Sequence, residues 1–206
     1  ANTSGIVGIY AGAQLSVLLG KMADVKNYVE NLNAQLGSRV PLWAISCGQI
    51  LSGWAIGCAE RLEDGIALMK HGIHAAEQQV RFHSPHYHSL LAVLQARAGD
   101  MQGSLSAIRK ATELIADTGE YLWQADVLRI EGELRLLFGA SMEAEAILVQ
   151  ALELARKQRG RSFELRVAMS MARLWRDQGK RNEARELLAP IYDWFTEGFD
   201  TRDLKE

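Results

Sequence analysis

The sequence predicts an all-α fold, a right-handed superhelical solenoid of about five antiparallel helix pairs. The first observation behind this prediction is a period of 40 residues that separates Gly99, Gly139 and Gly179. The second is that strong helix formers, chiefly Ala, Leu, Glu, Arg and Gln, dominate the second half of the chain. The third is the rarity of strand signals, because the chain has only 3 prolines and little apolar–polar alternation. Repetition at such a period is typical of stacked helix pairs.

Mostly small residues recur at the same period in three further columns. Small side chains at one phase indicate helices that approach each other closely at that level of every unit. The columns, each with intervals of 39, 40 and 40 residues, are Gly53, Ala92, Gly132 and Ala172; Gly65, Ser104, Ala144 and Ala184; and Gly72, Ala111, Ala151 and Ile191.

Each period reads as a helix, a tight turn and a second helix. The repeating glycines follow apolar helical stretches, where a left-handed residue commonly ends a helix. In the last period we expect the first helix over 162–178 and the second over 182–196, with a bend at Pro190. Breaks between units are expected at Gly37, Gly119, Gly160 and Gly198. The predicted pairs, within one repeat domain spanning 1–206, are 4–38, 40–80, 84–118, 120–159 and 162–197.

Composition narrows the classes of protein. The formal net charge of −2 gives no reason to expect a nucleic-acid partner. The first charged residue is Lys21, but glycines and polar residues interrupt the apolar stretch before it, so we read a buried helix and no membrane span. Cys47 and Cys58 would lie roughly 16 Å apart on one helix, too far to bridge. They indicate reduced thiols and therefore a cytoplasmic protein.

The last period resembles the tetratricopeptide repeat (TPR), in a variant longer than the usual length of about 34 residues. Earlier periods fit more loosely: the first two lack the aromatic residue of the motif, and Gly72 replaces its usual alanine. The residues that match the packing positions of the motif, in order, are Ala168, Met171, Ala172, Trp175, Ala184, Leu188 and Ile191.

A narrower resemblance covers the second half of the chain. The run from Ser162 to Tyr192 and the ending from Trp194 to Glu206 are similar to the C-terminus of large bacterial signalling proteins. These proteins join a class III adenylate/guanylate cyclase domain and an ATPase module to a helical-repeat tail. The resemblance implies that this chain is a fragment, the regulatory tail, with the cyclase and ATPase upstream. It also implies that no catalytic residue lies in this chain.

Stacked helix pairs place the first helix of each unit on the concave side of the array. Carrying the phase of the repeat along the chain predicts a groove that is apolar towards its N-terminal end and rich in arginine towards its C-terminal end. Forked guanidinium groups there would hold a carboxylate or a phosphate. The alternative is that Asp126, Glu133 and Asp177 neutralise the arginines. The candidate residues for partner binding are Tyr10, Trp54, Arg97, Arg129, Glu133, Arg166, Arg173 and Arg176.

Two functions stay open on this basis. The first is a non-catalytic interaction or regulatory scaffold that holds a protein partner or another domain of the same chain. The second is a small-molecule effector sensor with a pocket around Tyr10 and Trp54. The apolar first unit also predicts an exposed patch and a homodimer through it.

We expect no enzyme activity in the chain itself, because no catalytic grouping stands out in the sequence. No cofactor and no metal are expected either. All 5 histidines fall between His71 and His88, and we read them as polar residues of a helix junction and not as metal ligands.

Overall fold

The computed structural model describes residues 3–36, 41–59, 61–79 and 83–206. Within these ranges the regular elements are eleven α-helices and one 3₁₀ turn (Tyr121–Trp123), and the ranges contain no strand. The helices are α1 (Thr3–Leu18), α2 (Met22–Leu36), α3 (Leu42–Cys58), α4 (Leu62–Glu77), α5 (Ser84–Arg97), α6 (Met101–Thr118), α7 (Gln124–Leu137), α8 (Ser141–Lys157), α9 (Arg161–Asp177), α10 (Arg181–Tyr192) and α11 (Arg202–Lys205).

Successive helices form pairs, which confirms the predicted all-α class. Helices α1 and α2, α3 and α4, α7 and α8, and α9 and α10 contact each other directly. The hydroxyl of Ser104 on α6 donates to the carbonyl of Ala92 on α5 at 2.9 Å. The expectation that the last paired helix continues to residue 196 is wrong, because α10 ends at Tyr192. Pro190 lies in its last turn and supplies no N–H there, which weakens the helix at this end.

The periodic glycines have the backbone conformation that the sequence predicts. Gly99, Gly139 and Gly179 have φ values of 79°, 84° and 83°, in the left-handed region. At the first of them, the amide of Gly99 donates to the carbonyl of Ala96 and the amide of Asp100 to that of Gln95. This pair of bonds is the Schellman arrangement, which satisfies the last carbonyls of a helix and lets the chain reverse.

Gly160 lies in the break between α8 and α9, as expected, and is the residue before the first residue of α9. The left-handed residue of this break is Arg159, with φ 56°, whereas Gly160 has φ −84°. Gly119 and Gly198 do have positive φ, and Gly37 lies outside the described residues.

The chain divides into two compact units, residues 1–107 and 108–206, with the division inside α6. In the N-terminal unit the side chains of Val25, Ile50, Leu51, Met69 and Leu94 are almost fully buried and form one core. The C-terminal unit has a core of its own. Its buried members include Leu148, Ala151, Val167, Ala168, Met171, Leu174 and Ile191.

The columns of small residues mark where paired helices touch. A Cβ atom on Gly132 of α7 would lie 2.8 Å from the Cγ atom of Leu148 on α8. Ala92, Ala111 and Ala144 are fully buried. The repeat seen in the sequence is therefore a repeat of helix–helix contacts.

Helix α1 carries no charged residue, and Ala13 and Val17 on it are buried in the N-terminal unit. A bilayer-spanning helix would need greater length or higher hydropathy than any helix in the described part of the chain possesses.

Candidate functional site

The predicted binding residues fall into two groups, one in each unit. Tyr10, Trp54 and Arg97 lie on α1, α3 and α5 of the N-terminal unit. Arg129 and Glu133 lie on α7, and three more arginines lie on α9, in the C-terminal unit. Whether one continuous groove joins the two groups stays a prediction.

A buried polar cluster joins α1 to α5 in the N-terminal unit. The hydroxyl groups of Tyr10 and Tyr87 are hydrogen-bonded to each other, and the amide Nε2 of Gln14 donates to both, at 2.8 and 3.1 Å. The rings of Tyr10 and Trp43 form a T-shaped contact, with centroids 6.1 Å apart. Tyr87 is 1% exposed, so these contacts are shielded from solvent. The cluster therefore holds two helices of the same unit together.

Burial sets the protonation of this cluster. Burial raises the pKa of Tyr10 and of Tyr87 well above the ordinary tyrosine range. Burial also raises the pKa of Cys47, and the hydrogen bonds with Tyr87 and Tyr10 oppose that shift. The thiol is therefore protonated at neutral pH and is poorly suited to act as a nucleophile.

The other two candidates of this unit support its packing. Trp54 is half-buried against the hydrophobic core. Arg97 is exposed, and its Nη1 atom donates to the carbonyl oxygen of Gly57 at 3.1 Å, which ties α5 to α3.

Tyr10 borders a small apolar cavity between α1, α2 and α3. The cavity measures about 250 Å³, a figure that includes open solvent at its mouth. Only about 10 Å³ of this space can hold the centre of a water-sized sphere, so the cavity is far too small for a drug-sized ligand. Trp54 is not among the residues that line it, which are Ile9, Tyr10, Ala13, Tyr28, Val29, Ala44, Gly48 and Leu51.

The histidines have separate environments. Burial lowers the pKa of His83 to about 4, so its ring is neutral at physiological pH. His88 Nε2 lies 3.0 Å from Glu77 Oε1, which joins α5 to α4. Across the described ranges, no group of three His, Cys, Asp or Glu side chains is placed to hold a metal ion.

Large apolar side chains are exposed on the first helices of the N-terminal unit. Val7 and Leu15 on α1 are 50% and 55% exposed, and Leu42 on α3 is 69% exposed. Self-association through these side chains stays a prediction, which light scattering at high protein concentration would check.

Arg129 in the C-terminal unit is held between two carboxylates of its own helix. Its Nε atom donates to Asp126 at 2.7 Å and its Nη1 atom donates to Glu133 at 2.9 Å. Burial lowers the pKa of Arg129, but the charges of Asp126 and Glu133 outweigh this effect and raise the pKa above its ordinary value. Ser170 on α9 donates from its hydroxyl to the same Glu133 carboxylate at 2.5 Å. The network thus fixes Arg129 and links α7 to α9.

Arg166 and Arg173 are seven residues apart on α9, about two turns, and we call them the α9 arginine pair. Both bind residues near the end of the chain, which we call the α11 segment (198–206). Arg166 Nε donates to Asp203 at 2.6 Å, and Arg173 Nη2 donates to a carboxylate oxygen of Glu206. Between these two acids, Leu204 is 8% exposed and packs in the core of the C-terminal unit.

Arg176, the last predicted arginine, is more exposed than the α9 arginine pair. Its side chain is 59% exposed, and its Nε atom donates to Asp177 at 2.9 Å. That hydrogen bond raises the pKa of Arg176. The alternative reading of the sequence, in which Asp126, Glu133 and Asp177 neutralise nearby arginines, describes the contacts of Arg129 and Arg176.

Sequence reasoning missed Tyr87, Asp203 and Glu206. Each is hydrogen-bonded to a candidate residue that is distant in the sequence. The partners are Tyr10, Arg166 and Arg173, at separations of 77, 37 and 33 residues respectively. Asp203 and Glu206 are three residues apart, which places them on one side of a helical turn, but this spacing does not identify the arginines that they bind.

Comparison with known proteins supports the fold. No family model matches the chain, and no curated protein sequence matches it. Two crystal structures of nearly identical TPR-like repeats from a kinesin light chain-like protein of Podosopora anserina are similar to it, both at 16% identity. One has a TM-score of 0.61 and covers 92% of this chain and 94% of that chain. The other has a TM-score of 0.60 and covers 93% and 95%. The chain is therefore an all-α protein with a TPR-like repeat fold.

Proposed function

We propose that this chain is a non-catalytic protein-interaction module whose C-terminal unit binds an acidic segment of a partner through the α9 arginine pair. The observation that carries the proposal is that this face of α9 already binds two carboxylates, Asp203 and Glu206, from outside the α9–α10 helix pair. A face that holds an acidic segment of its own chain has the chemistry to hold one from another protein.

The geometry of the α9 arginine pair suits this role. Seven residues of helix separate the two arginine Cα atoms by about 10 Å along the axis. The arginine side chains are long enough to reach acids that are only three residues apart, as they do at Asp203 and Glu206. The side chains are 15% exposed at Arg166 and 39% exposed at Arg173. Partial burial strengthens a charge-assisted hydrogen bond compared with one in open solvent.

The wider context is part of the same proposal. The resemblance of 162–206 to the tails of bacterial cyclase–ATPase signalling proteins suggests a regulatory role in signal transduction, in the cytoplasm. The partner is then another protein or another domain of the parent protein. Stacked helix pairs provide the extended surfaces that such contacts use.

A second candidate, a small-molecule sensor in the N-terminal unit, has a specific observation in its favour. Gln14 Oε1 and Trp54 Nε1 are buried, and neither has a hydrogen-bond partner within the described ranges. Buried polar atoms are rarely left unpaired in folded proteins, so each of the two is a candidate contact for a polar ligand. Neither residue lines the cavity at Tyr10, so a ligand that contacts these atoms would lie outside that cavity.

Two binding measurements separate the two candidates. Fluorescence anisotropy would follow a labelled nine-residue acidic peptide, and a thermal-shift screen would cover nucleotides, sugars and amino acids. We expect the peptide to bind the intact chain and to lose binding in the Arg166→Gln/Arg173→Gln variant. Arg185→Gln, which changes an exposed arginine on α10, is the matched control.

The possible results of these measurements distinguish the two candidate functions. Peptide binding that survives loss of the α9 arginine pair, or no peptide binding at millimolar protein, contradicts the proposed site. A thermal shift with a small molecule that disappears in Trp54→Ala supports the sensor instead.

A further inference from the structure

We propose that the α11 segment is a displaceable internal ligand of the α9 arginine pair, and that the partner binds by replacing it with a segment of the same pattern, Asp–Leu–x–Glu. This inference rests on the proposed function and adds to it the chemistry of the partner and a built-in competitor. The pattern is the one that the chain itself places on α9, at Asp203, Leu204 and Glu206.

The α11 segment is attached by few contacts. Asp203 and Glu206 bind the α9 arginine pair, and Leu204 is the buried side chain between them. The approach to these residues is a turn in which Thr201 donates to the carbonyl of Gly198, from its amide at 2.8 Å and from its hydroxyl at 2.6 Å. Phe199 at this turn is 47% exposed, and its ring centroid lies 6.0 Å from that of Tyr192 on α10. The described contacts that hold the segment thus include two ion pairs, one buried apolar side chain and one half-exposed ring contact.

The helix in this segment cannot sustain itself. Helix α11 spans only Arg202–Lys205, which is a single turn. A single turn lacks the cooperative hydrogen bonding that stabilises longer helices, so it keeps its shape only while it is docked. Release of the segment unfolds this turn and uncovers the core residues that pack on Leu204.

The two ion pairs differ in exposure, which suggests an order of release. The side chains of Arg173 and Glu206 are 39% and 43% exposed, whereas those of Arg166 and Asp203 are 15% and 24% exposed. Water and salt screen the first pair more strongly. The ion pair between Glu206 and Arg173 therefore opens first. The ion pair between Asp203 and Arg166, together with the buried side chain of Leu204, holds the segment in place longer.

Competition within the chain sets how strongly an external segment binds. The apparent affinity of the α9 arginine pair is reduced by the fraction of molecules in which the pair is free. If the α11 segment is docked in about nine molecules of ten, weakening it raises the apparent affinity for an external segment roughly tenfold. Any condition that releases the segment acts as a switch for partner binding.

The test uses a fluorescent synthetic peptide of residues 198–206 as the probe, with anisotropy as the readout. We expect it to bind the Asp203→Asn/Glu206→Gln variant roughly tenfold more tightly than the intact chain. Binding should vanish when Arg166→Gln/Arg173→Gln is added to that variant. The control, Glu197→Gln/Asp200→Asn, changes two exposed acids of the same region and should bind like the intact chain. Leu204 is retained throughout, and circular dichroism verifies the fold.

Each outcome has a defined meaning. Equal affinity for the intact chain and the Asp203→Asn/Glu206→Gln variant overturns the internal ligand but leaves the proposed function standing. No binding to either protein overturns both. A concentration-dependent dimer that is lost in Arg166→Gln/Arg173→Gln would show that the occupant is the α11 segment of a second copy, and this overturns a separate partner.

Discussion

Gly53 on α3 and Gly65 on α4 lie in direct backbone contact. A Cβ atom built on Gly65 would lie 2.5 Å from the carbonyl oxygen of Gly53 and 2.5 Å from the Cα atom of Gly57. These neighbours are backbone atoms, so no side chain can move aside to make room. The close approach of α3 and α4 thus requires glycine at position 65.

We therefore expect Gly65→Ala to destabilise the N-terminal unit. The added methyl group forces the helices apart, and such overpacking costs about 1–3 kcal/mol. The gain in helix propensity of alanine over glycine offsets up to about 1 kcal/mol of that cost. Thermal unfolding followed by circular dichroism would measure the change in melting temperature.

Gly8→Ala is the matched control for this prediction. Gly8 is also inside a helix, but a Cβ atom there would have no neighbour within 4 Å. Only the higher helix propensity of alanine compared with glycine remains, so we expect this variant to be stabilised by about 0.5–1 kcal/mol. Equal effects of the two substitutions would contradict the close contact of α3 and α4.

The helix pairs were predictable from sequence because their contacts repeat. Gly53 and Gly65 belong to two of the predicted columns, and Ala92 with Ser104 occupies the same positions one period later. A contact that recurs in every unit leaves a periodic trace in a single sequence. The end of α10 left no such trace, since Pro190 interrupts one unit alone.

Arg159 provides a second prediction, at the turn between α8 and α9. Its φ of 56° puts a side chain in the left-handed region, where Cβ crowds the backbone. Glycine avoids this strain but has greater backbone freedom in the unfolded chain. The first effect is the larger one here, so Arg159→Gly should stabilise the chain by about 0.5–1 kcal/mol. Chemical denaturation with urea would measure the difference.

The control for that turn is Glu153→Gly, at an exposed position inside α8. Helical backbone gives glycine no advantage there, so the substitution should destabilise the chain by about 1 kcal/mol. Stabilisation by both substitutions, or by neither, would argue against a left-handed Arg159.

Contacts across long sequence separations account for what the sequence did not reveal. Tyr10 was predicted to face a groove, but its hydroxyl is bound to that of Tyr87. The sequence left open whether Arg166 and Arg173 hold an external carboxylate or phosphate or are neutralised by Asp126, Glu133 and Asp177. In the structure they bind two other acids, Asp203 and Glu206. Each of these pairs forms only once in the chain, so it leaves no periodic pattern in the sequence. Their prediction requires the positions of helices in space.

The buried tyrosines predict a loss of stability at high pH. Burial raises the pKa of Tyr10 and Tyr87 above the value of about 10 that the unfolded chain has. The contribution of the two tyrosines to the free energy of unfolding is fully present below pH 10. It is lost as the pH rises, because the unfolded chain then releases protons that the folded chain retains. The loss is about 1.4 kcal/mol per tyrosine for each pH unit above 10.

Melting temperatures between pH 8 and 11 would check this expectation. Tyr87→Phe removes one titrating group and should reduce the slope above pH 10, although it also removes hydrogen bonds. Tyr121→Phe, which changes a tyrosine that is 56% exposed and lies outside this cluster, is the control variant. A profile that stays flat to pH 11 would show that the hydroxyl cluster is accessible to solvent.

The network around Arg129 gives the last prediction. The side chain of Asp126 is only 4% exposed and that of Arg129 is 16% exposed, so this ion pair is shielded from water. Asp126→Ala leaves Arg129 with Glu133 as its remaining carboxylate on α7. We therefore expect the free energy of unfolding to fall by about 1–3 kcal/mol. Asp177→Ala removes an acid that is 67% exposed, and its effect should stay within about 0.5 kcal/mol. Urea denaturation of both variants measures the contrast, and equal losses would mean that Arg129 and Asp126 are as hydrated as a surface pair.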